Sequence, residues 1–283
     1  MCLIALALDQ HVRFPLVIAA NRDEFFARPA SPLAWWQASP DSAPLLGGRD
    51  LHAGGAWLAL TMAGRIAMLT NVRALGRSVA SAPSRGAIVP DWLATGASAE
   101  HYWRATASRG HNPFNLLAGD FAQQQWWWAD DQASAPRSLD AGIYGLSNAA
   151  LDTPWPKVRR LKLALGEALE TASSIDLLQD SLFAALADRT QASDINLPDT
   201  GVGLTRERAL SPAFIHTDDG QYGTRCSTLL IVERHAGTLV ARVVERQFDA
   251  QGQAQAQSVV QLEGWPSSRG QLPPVRSAAV SEA

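Results

Sequence analysis

The chain has 283 residues, 47% of them hydrophobic and 18% charged, with a formal net charge of −3. This composition supplies a core and excludes global disorder, and the lack of a basic surplus argues against a nucleic-acid binder. No run approaches the roughly 20 apolar residues of a helical membrane span, and the apolar start is too short and lacks the basic flank of a secretory signal, so a cytoplasmic protein is expected with Cys2 and Cys226 as thiols.

Residues 2–8 and 16–20 are apolar runs of strand length, separated by Asp9-Gln10-His11 and Pro15, which predicts a hairpin at the N-terminus. The Pro- and Gly-rich stretch 28–55 reads as a loop of about 25 residues, a length that is usually functional or disordered. Residues 56–62 and 65–70 form a second hairpin around Ala63-Gly64. Helix is expected over 86–109, interrupted near Gly96-Ala97-Ser98, then strands over 114–118, 124–129 and 143–146. Amphipathic helices follow over 155–171 and 176–187. Strands over 228–234 and 239–248 pair around His235-Ala236-Gly237, with another near 259–262. There are ten tryptophans, including the run Trp126-Trp127-Trp128. Alternation cannot place three consecutive rings on one face of a strand, so a sheet buried on both faces is expected there. Hairpins outnumber βαβ units. The expected class is α+β, antiparallel sheets with helices packed outside, as one domain over residues 1–265 and a flexible tail over 266–283.

Cys2 is the first chemical candidate. Aminopeptidases remove Met1 before a small second residue, which would leave a thiol beside its own α-amine. With a pKa near 7.7–8.0, that amine is partly neutral at pH 7 and can take the thiol proton. A buried cysteine in a first strand is the plainer alternative. Asn21-Arg22-Asp23-Glu24 follows the second apolar run. Arg22 and Asp23 could hold a substrate carboxylate or fix the N-terminal amine, against a solvated turn as the alternative. The hairpin puts this motif next to Cys2. It is expected to lie within hydrogen-bond reach of the sulfur, with Cys2 and Asp23 on one face and the thiol pKa lowered by Arg22 and the ammonium.

Other candidates are more dispersed. Arg225, in Tyr222-Gly223-Thr224-Arg225-Cys226-Ser227-Thr228, is a candidate anion anchor. Gly47-Gly48-Arg49-Asp50 with Gly54-Gly55 reads as a flexible loop that lets backbone approach a ligand. Asn71 and Asn148 stand at strand ends, where a carboxamide can serve as an oxyanion donor, although singly each is more often a turn residue. The six histidines form no i, i+4 pair and there is no CxxC, so no metal site is read. Lysine occurs only at 157 and 162, with arginine supplying the remaining basic residues; the bias is expected to reflect a GC-rich bacterial genome, the alternative being a need for bidentate carboxylate or phosphate partners at individual arginines.

These motifs, with Phe25, Arg28-Pro29, Gly54-Gly55-Ala56-Trp57-Leu58, Thr70-Asn71, Ser84-Arg85-Gly86, Asn115-Leu116-Leu117, Leu146-Ser147-Asn148 and Trp155-Pro156-Lys157, fall in the order seen in the NRDE family. That family, also called the transport and Golgi organisation protein two family, is one the chain resembles over most of its length. Within the matching motifs Asn21, Glu24, Arg28, Arg49 and Trp57 are candidate substrate-binding residues. The family in turn resembles N-terminal-nucleophile hydrolases of the bile-salt hydrolase and penicillin V acylase branch. That likeness implies a four-layer αββα sandwich, with Cys2, Arg22, Asp23, Asn71, Asn148 and Arg225 in matching catalytic order. Cys226 stands where relatives commonly have serine. The implied activity is hydrolysis of a non-peptide C–N bond in a small molecule, with no cofactor required. The family's link to haem movement implies an alternative, a haem carrier. Inside this sequence that alternative rests on abundant tryptophan, the Gly-rich stretch, and Cys2, Cys226 or a histidine as axial ligand, without a Cys-Pro or CxxCH signal.

Overall fold

The first two apolar runs pair as expected. In a computed structural model, which describes residues 2–235, 237–267 and 272–280, β1 (Cys2–Leu8) and β2 (Leu16–Phe25) lie antiparallel, with Cys2 opposite Arg22 and Leu8 opposite Leu16. Every residue of β1 is buried, which is why its sequence is continuously apolar rather than alternating. β2 continues through Phe25, so Asn21, Arg22, Asp23 and Glu24 are strand residues and not a turn. The cause lies on the other side of β2, where residues 222–227 pair with residues 21–25 and supply backbone partners.

The remaining elements follow in chain order. β3 (Ala30–Trp36), β4 (Leu45–Asp50), β5 (Leu58–Thr61) and β6 (Arg65–Asn71) precede α1 (Ile88–Ala94) and α2 (Ala99–Ala107). β7 (Phe114–Asp120), β8 (Gln125–Asp130), β9 (Arg137–Ser138) and β10 (Gly142–Leu146) come next, then α3 (Pro156–Thr171), α4 (Ile175–Leu186) and α5 (Leu204–Ala209). β11 (Tyr222–His235), β12 (Thr238–Phe248), β13 (Ala254–Glu263) and β14 (Arg276–Ala279) complete the described elements. The chain divides into two compact units, residues 1–27, 141–264 and 276–283, and residues 28–140 with 265–275.

The first unit holds a seven-stranded antiparallel sheet in the order β10-β1-β2-β11-β12-β13-β14. Leu3, Ala5 and Ala7 of β1 and Val17 and Ala19 of β2 point to one face, where they pack against Val158, Leu161 and Leu165 of α3 and Leu178, Leu182 and Leu186 of α4. Strand positions repeat every second residue and helix positions every third or fourth, as a sheet covered by amphipathic helices requires. The expected flexible tail contains β14, which pairs with β13 from Ala256 opposite Ala279 to Val259 opposite Arg276; residues 268–271 and 281–283 lie outside the described residues. Ala236, in the expected turn before β12, also lies outside them.

The second unit is a seven-stranded antiparallel sheet ordered β3-β4-β5-β6-β7-β8-β9, with Ala59, Ala67, Leu116, Ala118 and Trp127 facing Val89, Trp92 and Leu93 of α1 and Trp103 of α2. Each unit therefore contributes one sheet layer and one helix layer, in keeping with the α+β class. The expected loop over 28–55 instead contains β3 and β4. Gly47, Gly48 and Gly55 are packing requirements. A Cβ on Gly47 would sit 2.5 Å from Leu58 O, one on Gly48 would sit 2.2 Å from the Trp57 ring, and one on Gly55 would sit 1.9 Å from Gly86 O. Pro32 is tolerated because β3 is an edge strand with an irregular register between Ser31 and Ala34. The tryptophan run alternates as its spacing demands. Trp127 packs with Trp92 and Trp103 on the helix side, while Trp126 lies over Gly119 and Trp128 donates to Asn115 Oδ1 at 3.1 Å.

Candidate active site

The head of β1 organises the first unit's polar residues. Cys2 is opposite Arg22 on β2, Arg22 is opposite Cys226 on β11, and Cys226 is opposite Gln247 on β12. On the other side of β1, Ile4 is opposite Leu146, the last residue of β10, and Ser147 and Asn148 follow that strand end. The Ser147 hydroxyl ties this segment to the head of β1, lying 3.1 Å from Cys2 O and 3.2 Å from Asn148 Oδ1. Residues directly opposite in an antiparallel sheet share a face. Cys2, Arg22 and Cys226 thus form one row, and Asn148 is linked to its head through Ser147. All four are buried.

The neighbouring row points to the other face, under the helices. Asn21 donates through Nδ2 to Leu186 O and Ala213 O, both at 2.9 Å, and its Oδ1 accepts from Ser227 Oγ at 2.6 Å. Both amide hydrogens and the oxygen of this candidate substrate ligand are thereby taken up by the fold. Asp23 shares that face. Its Oδ1 accepts from Thr224 Oγ1 at 2.7 Å, and its carbonyl accepts from the Tyr222 hydroxyl at 3.0 Å. Here the geometry corrects the expectation that Cys2 and Asp23 share a face. Because the tetrad is strand and not turn, strict alternation puts Arg22 with the thiol and Asp23 beneath it. Burial raises the Asp23 carboxyl above its ordinary value against the pull of Lys157, the N-terminal charge and Arg22, and Asp23 in turn adds to the rise of Cys2.

Burial pushes the Cys2 thiol above its ordinary value, with Asp23 and Glu24 adding to the rise, while the N-terminal charge and Arg22 pull it down. This reverses the expected lowering, since desolvation outweighs both neighbouring cations. Cys226 is raised well above its ordinary value by burial and by Glu245. Both thiols are therefore largely protonated at neutral pH, and Cys2 is the nearer to ionising. Alkylation with iodoacetamide, mapped by mass, is expected to label Cys2 first, at a rate that climbs with pH as thiolate forms. Labelling of Cys226 first would contradict this assignment.

Arg225 is placed by a bulge. Thr224 is opposite Asp23 and Cys226 opposite Arg22, so Arg225 is the extra residue on β11, and such a residue can be re-aimed out of the strand's alternation. Its Nη1 donates to Phe25 O at 2.9 Å and Phe26 O at 3.3 Å, and its guanidinium lies over the Phe26 ring. Glu24 pairs with Arg22 at 4.0 Å.

The other candidates belong to the second unit. Asn71 ends β6, opposite Phe114. Arg28 pairs with Asp50 at 2.6 Å, and Asp50 Oδ1 in turn accepts from His52 N and Ala53 N. Arg49 lies over the Trp36 ring and donates to Gly54 O at 3.2 Å, while Trp57 covers Gly48. These contacts make the Gly47–Gly55 motifs a packed strand and turn. Sequence reading assigned no role to Ser147 or to Lys157. The latter is 2% exposed and donates from Nζ to Leu210 O at 3.0 Å. Its signal was present: a lysine in line with Leu161 and Leu165 on the apolar stripe of α3.

The fold and site define an antiparallel α+β protein whose second residue is a cysteine paired opposite a buried arginine. The family model for Transport and Golgi organisation 2 matches residues 1–250. The chain is 31% identical over 251 residues to the Transport and Golgi organization protein 2 homolog of Bos taurus, an alignment covering 82% of this chain and 89% of that protein. It is 30% identical to the Homo sapiens homolog over 251 residues, with the same shares, and 27% identical over 261 residues to the Drosophila melanogaster protein, with shares of 82% and 88%. The chain belongs to the Transport and Golgi organisation 2 family. Among solved structures, a mutant conjugated bile acid hydrolase from Clostridium perfringens aligns with a TM-score of 0.47 and 9% identity, over 99% of this chain and 97% of that one. No helix among the described residues is long and apolar enough to cross a membrane.

Proposed function

We propose that the protein is an N-terminal-nucleophile amidohydrolase that cleaves a non-peptide C–N bond of a small molecule, with Cys2 as nucleophile after removal of Met1. The observation that supports it most is the pairing of Cys2 with Arg22 at the start of β1, with the Asn148 carboxamide linked to the Cys2 backbone through Ser147. Met1 itself lies outside the described residues.

In this reading the neutral α-amine takes the thiol proton as the sulfur attacks the amide carbonyl, forming the C–S bond and an oxyanion. Asn148 donates to that oxyanion, and Arg22 stabilises negative charge in a site with little water. Collapse breaks the C–N bond, and the leaving amine takes the proton from the α-ammonium. Water then attacks the thioester, gives a proton to the amine, and releases the acid as the C–S bond breaks and the thiol is reformed. Asp23, beneath the row, holds the ammonium form electrostatically.

A panel of N-acyl amides incubated with the purified protein tests this reading. Release of free amine from at least one member is the expected result. Uptake of haem, seen by absorbance, with no amide cleaved would reject the hydrolase in favour of a carrier.

A further inference from the structure

The segment that carries Ser147 and Asn148 is closed on itself. It leaves β10 at Leu146 and enters α3 at Pro156, and between them Asp152 turns back onto the strand it came from. The Asp152 backbone N–H donates to Gly145 O at 2.7 Å, and its Oδ1 accepts from Gly145 N at 2.8 Å. β10 is the edge of its sheet, so one residue takes up both backbone groups of Gly145 on the side that has no neighbouring strand. Asp152 does this at φ 60°, in the left-handed region that aspartate tolerates better than most side chains. The clasp has a second anchor, because Lys162 of α3 donates from Nζ to the same Asp152 Oδ1 at 2.6 Å. Lys162 reaches it by lying across Gly145, where a Cβ would sit 2.8 Å from Lys162 Cδ and 2.6 Å from Val158 Cγ1. That close approach is what requires glycine at 145. Within the closed loop Ser147, Asn148 and Leu151 are buried, and the Ser147 hydroxyl ties it to Cys2 O.

We propose that Asp152 and Lys162 are positioning residues: together they clasp the loop over 146–152 to Gly145, and the clasp sets where Ser147 and Asn148 stand at the head of β1. Both act through the loop. The ion pair itself is partly exposed, at 29% and 33% of the two side chains, so its contribution lies in the geometry it fixes more than in its charge. That Asn148 serves an oxyanion rests on the hydrolase reading above; that the clasp fixes its place does not. In that reading a displaced Asn148 costs transition-state stabilisation and not substrate affinity, because the oxyanion exists only once the sulfur has attacked.

Hydrogen–deuterium exchange of the full chain, resolved by peptide mass, tests the clasp without a substrate. Asp152→Gly keeps the left-handed backbone and removes the carboxylate. In it the amides of residues 145–150 are expected to exchange about tenfold faster or more than in the wild type, while α4 and β12 keep their wild-type rates. Lys162→Met, which keeps a stem across Gly145, is expected to act in the same direction and serves if the glycine variant does not fold. Unchanged exchange of this loop in the folded variant would overturn the proposal, as would faster exchange spread evenly over the chain. Turnover of an N-acyl amide cleaved by the wild type then tests what the clasp serves. Asp152→Gly is expected to lower kcat about tenfold or more with KM unchanged, and to add no further loss to Asn148→Ala. Additive losses would overturn the positioning role. If the wild type cleaves no amide of the panel, the hydrolase reading falls, while the exchange rates still decide the clasp.

Discussion

Asn21→Ala is expected to lower the stability of the protein by roughly 3 kcal/mol or more, taking at least about 1 kcal/mol for each of the three buried hydrogen-bonding groups that lose their partner. The carboxamide is 1% exposed and joins three segments. Its nitrogen reaches Leu186 O at the end of α4 and Ala213 O, and its oxygen receives the Ser227 hydroxyl of β11. Alanine deletes all three bonds and opens a cavity between sheet and helices, where collapse is limited by close packing. Asn21→Asp is expected to be no milder, because it replaces the donating amide nitrogen with a carboxylate oxygen that faces two carbonyl oxygens. Urea unfolding followed by circular dichroism measures both. A loss below about 1 kcal/mol would return Asn21 to the role of a ligand contact.

Cys2→Ala is expected to reduce amide turnover by at least about a thousandfold, because no nucleophile remains, while Cys2→Ser keeps partial activity through its hydroxyl. Both variants should fold, since Cys2 accounts for only one small side chain at the head of a strand whose remaining residues supply the packing. Amine release from the substrate identified with wild type measures this, with Cys226→Ser as the control that should retain turnover. Full activity in Cys2→Ala would remove Cys2 from the chemistry. Loss of activity in Cys226→Ser with activity kept in Cys2→Ala would move the nucleophile to the second thiol.

The N-terminal hairpin was legible because its runs are apolar, of strand length, and separated by turn residues. That hairpin alone put the tetrad beside Cys2. What the sequence could not show was the face of each tetrad residue, because β2 continues through Phe25 only when β11 arrives from the far end of the chain to pair with it. The same distant strand decides that Asn21 serves the helix layer and Asp23 lies under the site. β3 and β4 were hidden for a different reason. Gly47 and Gly48 look like loop residues, yet they are glycines because Leu58, Ala59 and Trp57 occupy the space of a side chain. The thiol's shift was misjudged in sign, since neighbouring cations are visible in a sequence and depth of burial is not. Lys157 was visible as a charge on an apolar stripe, but the Leu210 carbonyl that receives its ammonium comes from another element.

The account turns on whether Cys2 is the first residue of the mature chain, since the proposed base is its own α-amine. Intact-mass spectrometry of the purified protein decides this in one measurement. The predicted result is a chain lighter by one methionine, with the N-terminal peptide beginning Cys2-Leu3-Ile4. A mass that retains Met1 throughout would leave the thiol without its base and contradict the N-terminal-nucleophile reading.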